Sequence, residues 1–279
     1  MRGIISVDGV WFSYPNNVTA LKDINLAFNE GSITALIGQN GSGKTTLAKL
    51  MNALLKPTKG RVVVDGVETT DKFPYEMAKI VGYSFQNPTH QLYSHTVEAE
   101  LMAGPRNLGL SEEEAKSRAE EAIKLFNLQG LQQLRPSALS FPLKKLVCLA
   151  SVYTMKPKVM VLDEPTTGQD HVGLQMIQNF ITTIKSLGIT VIIITHDMRL
   201  VAERAEQVVV MALGRVVKTG TPDEIFLDEQ VMEAAALRPP QIMELSSRLD
   251  NDIPNHGGAS RTVEEEVRKI KRILGDSMT

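Results

Sequence analysis

Cysteine is nearly absent from this chain: Cys148 stands alone, so no internal disulfide can form, and a reducing compartment suits it. It lies in the apolar helical stretch LVCLA and reads as a buried structural thiol. Long apolar runs are missing too, and none approaches the length of a membrane span. The opening residues, MRGIISVDGVWFSYP, lack the uninterrupted apolar core of a signal peptide. Neither sign of charge dominates: the formal net charge is −2, which argues against general nucleic-acid binding. There is no internal repeat, no low-complexity segment, no guanine-reading N-K-x-D and no Gly-rich lid of a small-molecule kinase. These absences leave a soluble, cytoplasmic chain whose membrane link must come through a partner. With 279 residues and 43% hydrophobic content, it suits one large α/β domain with an appendage, or two small domains.

What is present centres on GQNGSGKTT, Gly38–Thr46, which fits G-x-x-x-x-G-K-[ST] at Gly38, Gly43, Lys44 and Thr45. Its glycines allow a tight turn whose N–H groups converge on a phosphate chain. Lys44 supplies a point charge for the terminal phosphates, and the Thr45 hydroxyl can ligate Mg²⁺. A helix beginning near Lys44 adds its positive N-terminal end. The flanks agree: SITALI (32–37) suits a buried strand, and TLAKLMNALL (46–55) has helical spacing.

The chain opens with strand-like stretches at 4–13 and 21–28, separated by the turn Tyr14-Pro15-Asn16-Asn17, which reads as antiparallel structure. RVVVDG and IVGYSF are further strands, the latter followed by Gln86-Asn87-Pro88. From Val97 to Leu134 the pattern is helical and charged, with a capping-box start at Ser111. VMVL is a buried strand ending in Asp163-Glu164-Pro165, 172–187 is a helix, and ITVIII is a central parallel strand ending in Thr195-His196-Asp197. A hairpin at 207–211 and 214–219 and a short helix at 222–227 follow. From Met232 onward Pro239-Pro240, Pro254 and Gly257-Gly258 break up helical pieces, and 262–274 is a final amphipathic helix. No chemistry is assigned to that tail. The order strand–P-loop–helix, strand–acid, strand–His places the chemical groups at the carboxyl ends of parallel strands, where open α/β sheets hold ligands.

Asp163 at a strand end can hold Mg²⁺ opposite Thr45, and Glu164 beside it can polarise an attacking water. His196 can contact the terminal phosphate or that water. The Gln86 amide oxygen can reach Mg²⁺ or the water, and Tyr14 offers a flat face for a base. Taken singly, each of these also fits a bland role: an exposed acidic turn, a structural His or a packed surface Tyr.

Together, from about Ile4 to Leu227, these residues resemble the nucleotide-binding subunit of an ABC transporter. FSYP resembles the aromatic A-loop, GQNGSGKTT the Walker A motif and FQNP the Q-loop. VMVLDEP resembles Walker B, TTGQD the D-loop and ITHD the switch histidine. FQNPTHQLYSHTVEAEL with GPRNLGLSEEE resembles more narrowly the energy-coupling-factor class, whose members power uptake of vitamins or of cobalt or nickel ions. The resemblance implies a P-loop NTPase core with a parallel sheet, an N-terminal antiparallel β subdomain, a helical subdomain and a C-terminal helical extension. The ABC ATPase domain would cover 1–230, with the helical subdomain at about 87–155, and the extension 231–279. It assigns Tyr14 to adenine stacking and Asn40, Gly41, Ser42, Gly43, Lys44, Thr45 and Thr46 to the phosphates. Thr45, Gln86 and Asp163 would surround Mg²⁺, Glu164 would polarise water, His196 would sense the terminal phosphate, and Asp170 would face a dimer partner. His90 and His95 read as contact or surface residues, because no third ligand appears nearby.

One motif departs from the family. Where LSGGQ is usual, this chain has Leu139-Ser140-Phe141-Pro142-Leu143, followed by Lys144-Lys145. In the family this signature closes over ATP bound to the other subunit, using backbone N–H groups and a helix N-terminus. Ser140 remains, but Pro142 has no N–H and Phe141 puts a ring where close approach is wanted. The helix itself should survive, since proline is tolerated in a first turn. The expectation is a heterodimer. A second ABC ATPase subunit with an intact signature would complete the Walker side of this chain, together with a transmembrane coupling subunit and a substrate-binding membrane subunit. No nucleic-acid partner is expected, and the place of work is the cytoplasmic face of the membrane. The alternatives are a regulatory nucleotide-binding module and a soluble ABC ATPase outside transport.

Overall fold

In the computed structural model of the chain, residues 3–253 and 256–276 are described; Pro254, one of the expected helix breaks, lies outside them. β1 (Gly3–Ser13) and β2 (Thr19–Asn29) pair antiparallel, and the chain then enters β3 (Ile33–Ile37), the P-loop and α1 (Lys44–Met51). β4 (Lys59–Val64) pairs antiparallel with β1, and β5 (Val67–Glu68) completes a sheet of order β2–β1–β4–β5. After α2 (Pro74–Met77) comes β6 (Val81–Ser84). α3 (Val97–Asn107), α4 (Glu112–Leu125) and α5 (Phe141–Tyr153) form the helical layer.

β7 (Val159–Asp163), α6 (His171–Ser186), β8 (Thr190–Ile194), α7 (Met198–Arg204), β9 (Gln207–Ala212) and β10 (Arg215–Gly220) return the chain to a second sheet, ordered β10–β9–β3–β8–β7–β6. All its pairings are parallel except β10 with β9. α8 (Pro222–Phe226), α9 (Glu229–Ala234), α10 (Gln241–Asp252) and α11 (Val263–Asp276) finish the described chain.

The parallel strands are apolar almost throughout because both faces are covered. Side chains alternate between faces along a strand. Val191 and Ile193 therefore join the core beneath α3–α6, while Ile192 and Ile194 join the core shared with α1 and the antiparallel sheet. Each such fully buried aliphatic side chain contributes about 1.5–3 kcal/mol. A third core lies under β3 and β9, where Ala35, Ile37, Val208 and Val210 meet Val201, Phe226, Val231, Met232 and Met243. The first part of the segment after 230 thus packs into the sheet rather than hanging from it.

Three expectations need adjustment. α1 ends at Met51, four residues short of the helical spacing, because Ala53 turns to φ +60° and the Asn52 side chain accepts the Leu54 N–H. The helical stretch from Val97 to Leu134 is broken at Gly109 (φ +85°) and stops at Leu125, with Asn127 at φ +51°. Ser111 does cap α4, accepting the Glu114 N–H at 3.2 Å. The Glu114 carboxylate does not return the bond but pairs with Arg118 at 3.0 Å, so half of the capping box is present.

Candidate functional site

Sheet register brings the site together. Leu36 of β3 lies beside Ile194 of β8, Ile194 beside Asp163 of β7, and Leu162 beside Ser84 of β6. Four neighbouring strands therefore end level, and the residues just beyond them, Gly38, His196, Glu164 and Gln86, emerge at one edge. Around that edge is a cavity of about 290 Å³. Tyr14, Asn40, Gly41, Gly43, Lys44, Thr45, Thr46, Gln86, Asp163, Glu164 and His196 all line it.

The P-loop needs its glycines for two reasons. Gly38 has φ +147° and Gly43 φ +106°, and both are tightly packed. A Cβ on Gly43 would stand 2.7 Å from Leu21 Cδ2 and 2.8 Å from the Ala20 carbonyl oxygen; one on Gly38 would collide with the Met211 carbonyl. Lys44 is buried, and its ammonium donates to the carbonyls of Gly38 (2.7 Å) and Gln39 (2.9 Å). Burial pulls its pKa down, and the carboxylates of Glu164 and Asp163 oppose that shift. Ser42 turns away: it is buried, lies 3.5 Å from Lys44 Nζ through Oγ, and borders a smaller cavity behind the loop.

Asp163 Oδ2 accepts from the Tyr83 hydroxyl at 2.7 Å and from Thr45 Oγ1 at 3.3 Å. Burial and the adjacent carboxylate drive the Tyr83 pKa up, which keeps the phenol a donor. Glu164 is buried at φ +49°, a strained setting for a residue with a side chain. Its N–H donates to the Ile194 carbonyl at 2.8 Å, and Thr167 Oγ1 donates to its Oε2 at 3.3 Å. His196 Nε2 lies 3.5 Å from Glu164 Oε1 and 3.0 Å from Asn40 Oδ1. Burial raises the Glu164 pKa, with Asp163 adding to the rise and His196 opposing it. Tyr14 packs edge-on to Phe12 at 4.9 Å, and its hydroxyl is 3.0 Å from Thr46 Oγ1.

Other singled-out residues lie elsewhere. Ser140 is exposed, outside the cavity, and begins α5 without a side-chain capping bond. Asp170 caps α6, accepting the Gly173 N–H at 2.8 Å. His90 and His95 are exposed, and His95 borders a separate cavity with Tyr93, Arg135 and Lys144. Cys148 is buried in α5, and burial pushes its thiol up to about 12.

Sequence reading missed Tyr83 and Lys145. Tyr83 gave a signal, since a tyrosine inside a buried strand needs a partner for its hydroxyl. Lys145 gave one as well: it stands in the apolar run of α5 one turn before Leu149, yet is fully buried and holds three backbone carbonyls.

A P-loop opposite an acidic pair and a histidine, all at the ends of parallel strands, defines a nucleotide-hydrolysing site of the P-loop class. Residues 21–167 match the ABC transporter family profile. The energy-coupling factor transporter ATP-binding protein EcfA of Methanocaldococcus jannaschii is 39% identical over 276 residues, covering 97% of this chain and 98% of that protein. A Caldanaerobacter subterraneus protein named as an ABC transporter ATP-binding protein is 42% identical over 269 residues. That match covers 96% of this chain, which spans 46% of that relative's length. Among solved structures, cbiO1 of Clostridium perfringens, part of the ABC transporter complex cbiONQ, superposes with a TM-score of 0.74 at 36% identity. That match covers 88% of this chain and 99% of the other. A dimeric ATP-binding cassette in a post-hydrolysis state, bound to ADP and Pi, gives 0.70 at 26% identity, covering 78% of this chain and 98% of that one. The chain belongs to the ABC transporter ATP-binding family, as an ATPase of the energy-coupling-factor type.

Proposed function

We propose that this chain is the ATP-hydrolysing subunit of an energy-coupling-factor importer, working at the cytoplasmic face of a membrane as one half of an asymmetric ATPase pair. The vitamin or transition-metal-ion cargo would be chosen by a separate membrane subunit. The observation that carries the reading is the contrast between a Walker-side cavity built entirely within the chain and an α5 start that lies outside it. Among the described residues no helix is long and apolar enough to cross a membrane, so transmembrane coupling and substrate-binding subunits are part of the proposal.

In this reading the P-loop amides of Asn40–Thr46 wrap the phosphates, and Lys44 exchanges its loop carbonyls for phosphate oxygens. Tyr14 stacks on adenine. Thr45 and Asp163, 3.3 Å apart, and Gln86, which lines the same cavity, would be the oxygen donors that hold Mg²⁺, a donor set that suits that ion. When bound, that ion would neutralise charge on the phosphate oxygens. Glu164 takes the proton from the water that attacks the terminal phosphorus, as the bond to the bridging oxygen breaks and ADP leaves. Its buried setting raises its basicity. His196, held by Asn40, lies beside that carboxylate and contacts the terminal phosphate.

At the other end, α5 does begin at Phe141 with Pro142 in its first turn. The half-exposed Phe141 ring lies against Gly168, and the Pro142 carbonyl accepts from Gln169 Nε2 at 3.3 Å. This face offers a partner's ATP a bulky ring where close approach is wanted and, at Pro142, a nitrogen with no N–H to donate. Losing one such donor costs roughly a hundred- to thousandfold in rate. A homodimer would carry the defect twice; a partner with LSGGQ restores one full site. The test is ATPase activity of the purified chain alone and after co-expression with such a partner. Activity near background alone and restored in the pair is expected; full activity from the pure homodimer would sink the reading.

A further inference from the structure

Between the cavity and α5 lies a polar clamp that the mechanism above does not use. Lys145 is fully buried, and its ammonium reaches three backbone carbonyls: Gln86 at 2.6 Å, Phe85 at 3.2 Å and Asp163 at 3.3 Å. An ammonium has three N–H donors, so its hydrogen-bonding capacity is filled by these three acceptors. The same loop is held from its other side. The Phe85 N–H donates to Gln91 Oε1 at 3.1 Å, and Gln91 Nε2 donates to the Cys148 carbonyl (2.9 Å) and lies 3.0 Å from Ser151 Oγ, both on α5. Phe85 is thus tied to α5 through both its N–H, by way of Gln91, and its C=O, and Gln86 through its C=O.

A lysine in this position is costly for packing alone. Burial disfavours its charged form, and a neutral side chain of similar length would fill the space without that penalty. What only the ammonium supplies is one point fixing three carbonyls from two different strands' ends. Those carbonyls belong to the loop carrying Gln86 and to Asp163, while the lysine rides on the helix that starts at Ser140.

We infer that Lys145, supported by Gln91, is a positioning residue that couples the orientation of α5 to the placement of Gln86 and Asp163 in the nucleotide cavity. A rotation of α5 then drags the Gln86 loop and the end of β7 together, so whatever seats on the α5 start alters the geometry at the cavity. Lys145 does not line the cavity. The inference rests on the reading of Gln86 and Asp163 as nucleotide-site residues, but not on the heterodimer.

Two measurements test it, on full-length protein. Hydrogen–deuterium exchange of the chain alone compares wild type with Lys145→Met, Lys145→Gln and Gln91→Leu. Loss of the charged hydrogen bonds should speed exchange across 85–91 about tenfold in Lys145→Met, with β8 unchanged. Lys145→Gln, which keeps two N–H donors, should recover part of the protection and stands in if the methionine variant does not fold. Gln91→Leu should act in the same direction. The second measurement is steady-state kinetics in whichever assembly hydrolyses ATP, homodimer or mixed pair. There Lys145→Met should lower kcat about tenfold with KM for ATP within about twofold, the mark of a positioning effect rather than lost binding. Unchanged exchange at 85–91, a uniform rise along the chain, or faster exchange with kcat intact would each overturn the inference. Because the exchange arm needs no partner, its result stands whether or not the homodimer proves active.

Discussion

Around Lys44 the polar groups find partners inside the chain: the ammonium on loop carbonyls, Asp163 on Tyr83 and Thr45, His196 on Asn40. At the start of α5 the same chain leaves Ser140 exposed and uncapped, with the Phe141 ring half in solvent. The first region is held ready by its own fold. The second is a helix start with Ser140 and Phe141 open to solvent, joined to the residues beside the cavity by Lys145, by the Gln91 bonds to Cys148 and Ser151, and by the Gln169–Pro142 bond. Pre-organisation is therefore unequal across two surfaces that, in the proposed ATPase pair, would meet over one nucleotide. Chemistry should be lost by mutating the first and gained by repairing the second.

The sharpest test of the first region is Glu164→Gln. Removing a general base costs about a hundred- to ten-thousandfold in turnover, and nucleotide binding should persist. An ATPase assay beside a fluorescent-nucleotide titration checks both. The same variant carries a pH signature. A carboxyl whose folded pKa is raised binds more protons folded than unfolded, so stability falls as pH rises through the raised value. Glu164→Gln should raise Tm at neutral pH, and the gain should shrink as pH falls below that value. Turnover by the native protein should drop on the same acid side.

Next comes repair of the second region. Phe141→Gly with Pro142→Gly returns the close approach and one N–H, and should raise homodimer ATPase by up to about a hundred- to thousandfold. No gain would mean that the native α5 start already serves, and the comparison would fail. Lys44→Ala should weaken ATP binding about ten- to hundredfold, the worth of one or two charged hydrogen bonds, read by equilibrium titration. The smallest effect concerns the interior of α5. Cys148, with its thiol pushed up to about 12, should resist a thiol reagent in the native state and react only on unfolding. Fast native labelling would mean that α5 opens along its length, not only at its start.

Much of the site could be read directly from residue order. A P-loop fixes four of eight consecutive positions, Gly38 to Thr45, and a strand followed by Asp-Glu or by His declares its own end; eleven of the named residues converge on one cavity. Ser42 is part of the loop but faces the other way, and Ser140 stands apart. The helix lengths are less legible, because Ala53 and Asn127, just past α1 and α4, adopt positive φ that no residue type there demands. The tail, to which the sequence assigns no chemistry, packs as structure: it buries His256 against Glu266 at 2.7 Å and places Met243 in the core under β3.

Sequence by itself determined the phosphate loop, the alternating burial of the strands and the departure at Phe141-Pro142. Each follows from rules acting within a few residues: ring and glycine sterics, side-chain alternation and a missing N–H. Tertiary structure alone decided that Tyr83 meets Asp163 across 80 positions, that Asn40 meets His196 across 156, and that Lys145 gathers carbonyls from two strand ends. Those meetings are set by strand order and register, which bring distant residues level at one edge of the sheet, and no local pattern encodes the order in which strands lie side by side.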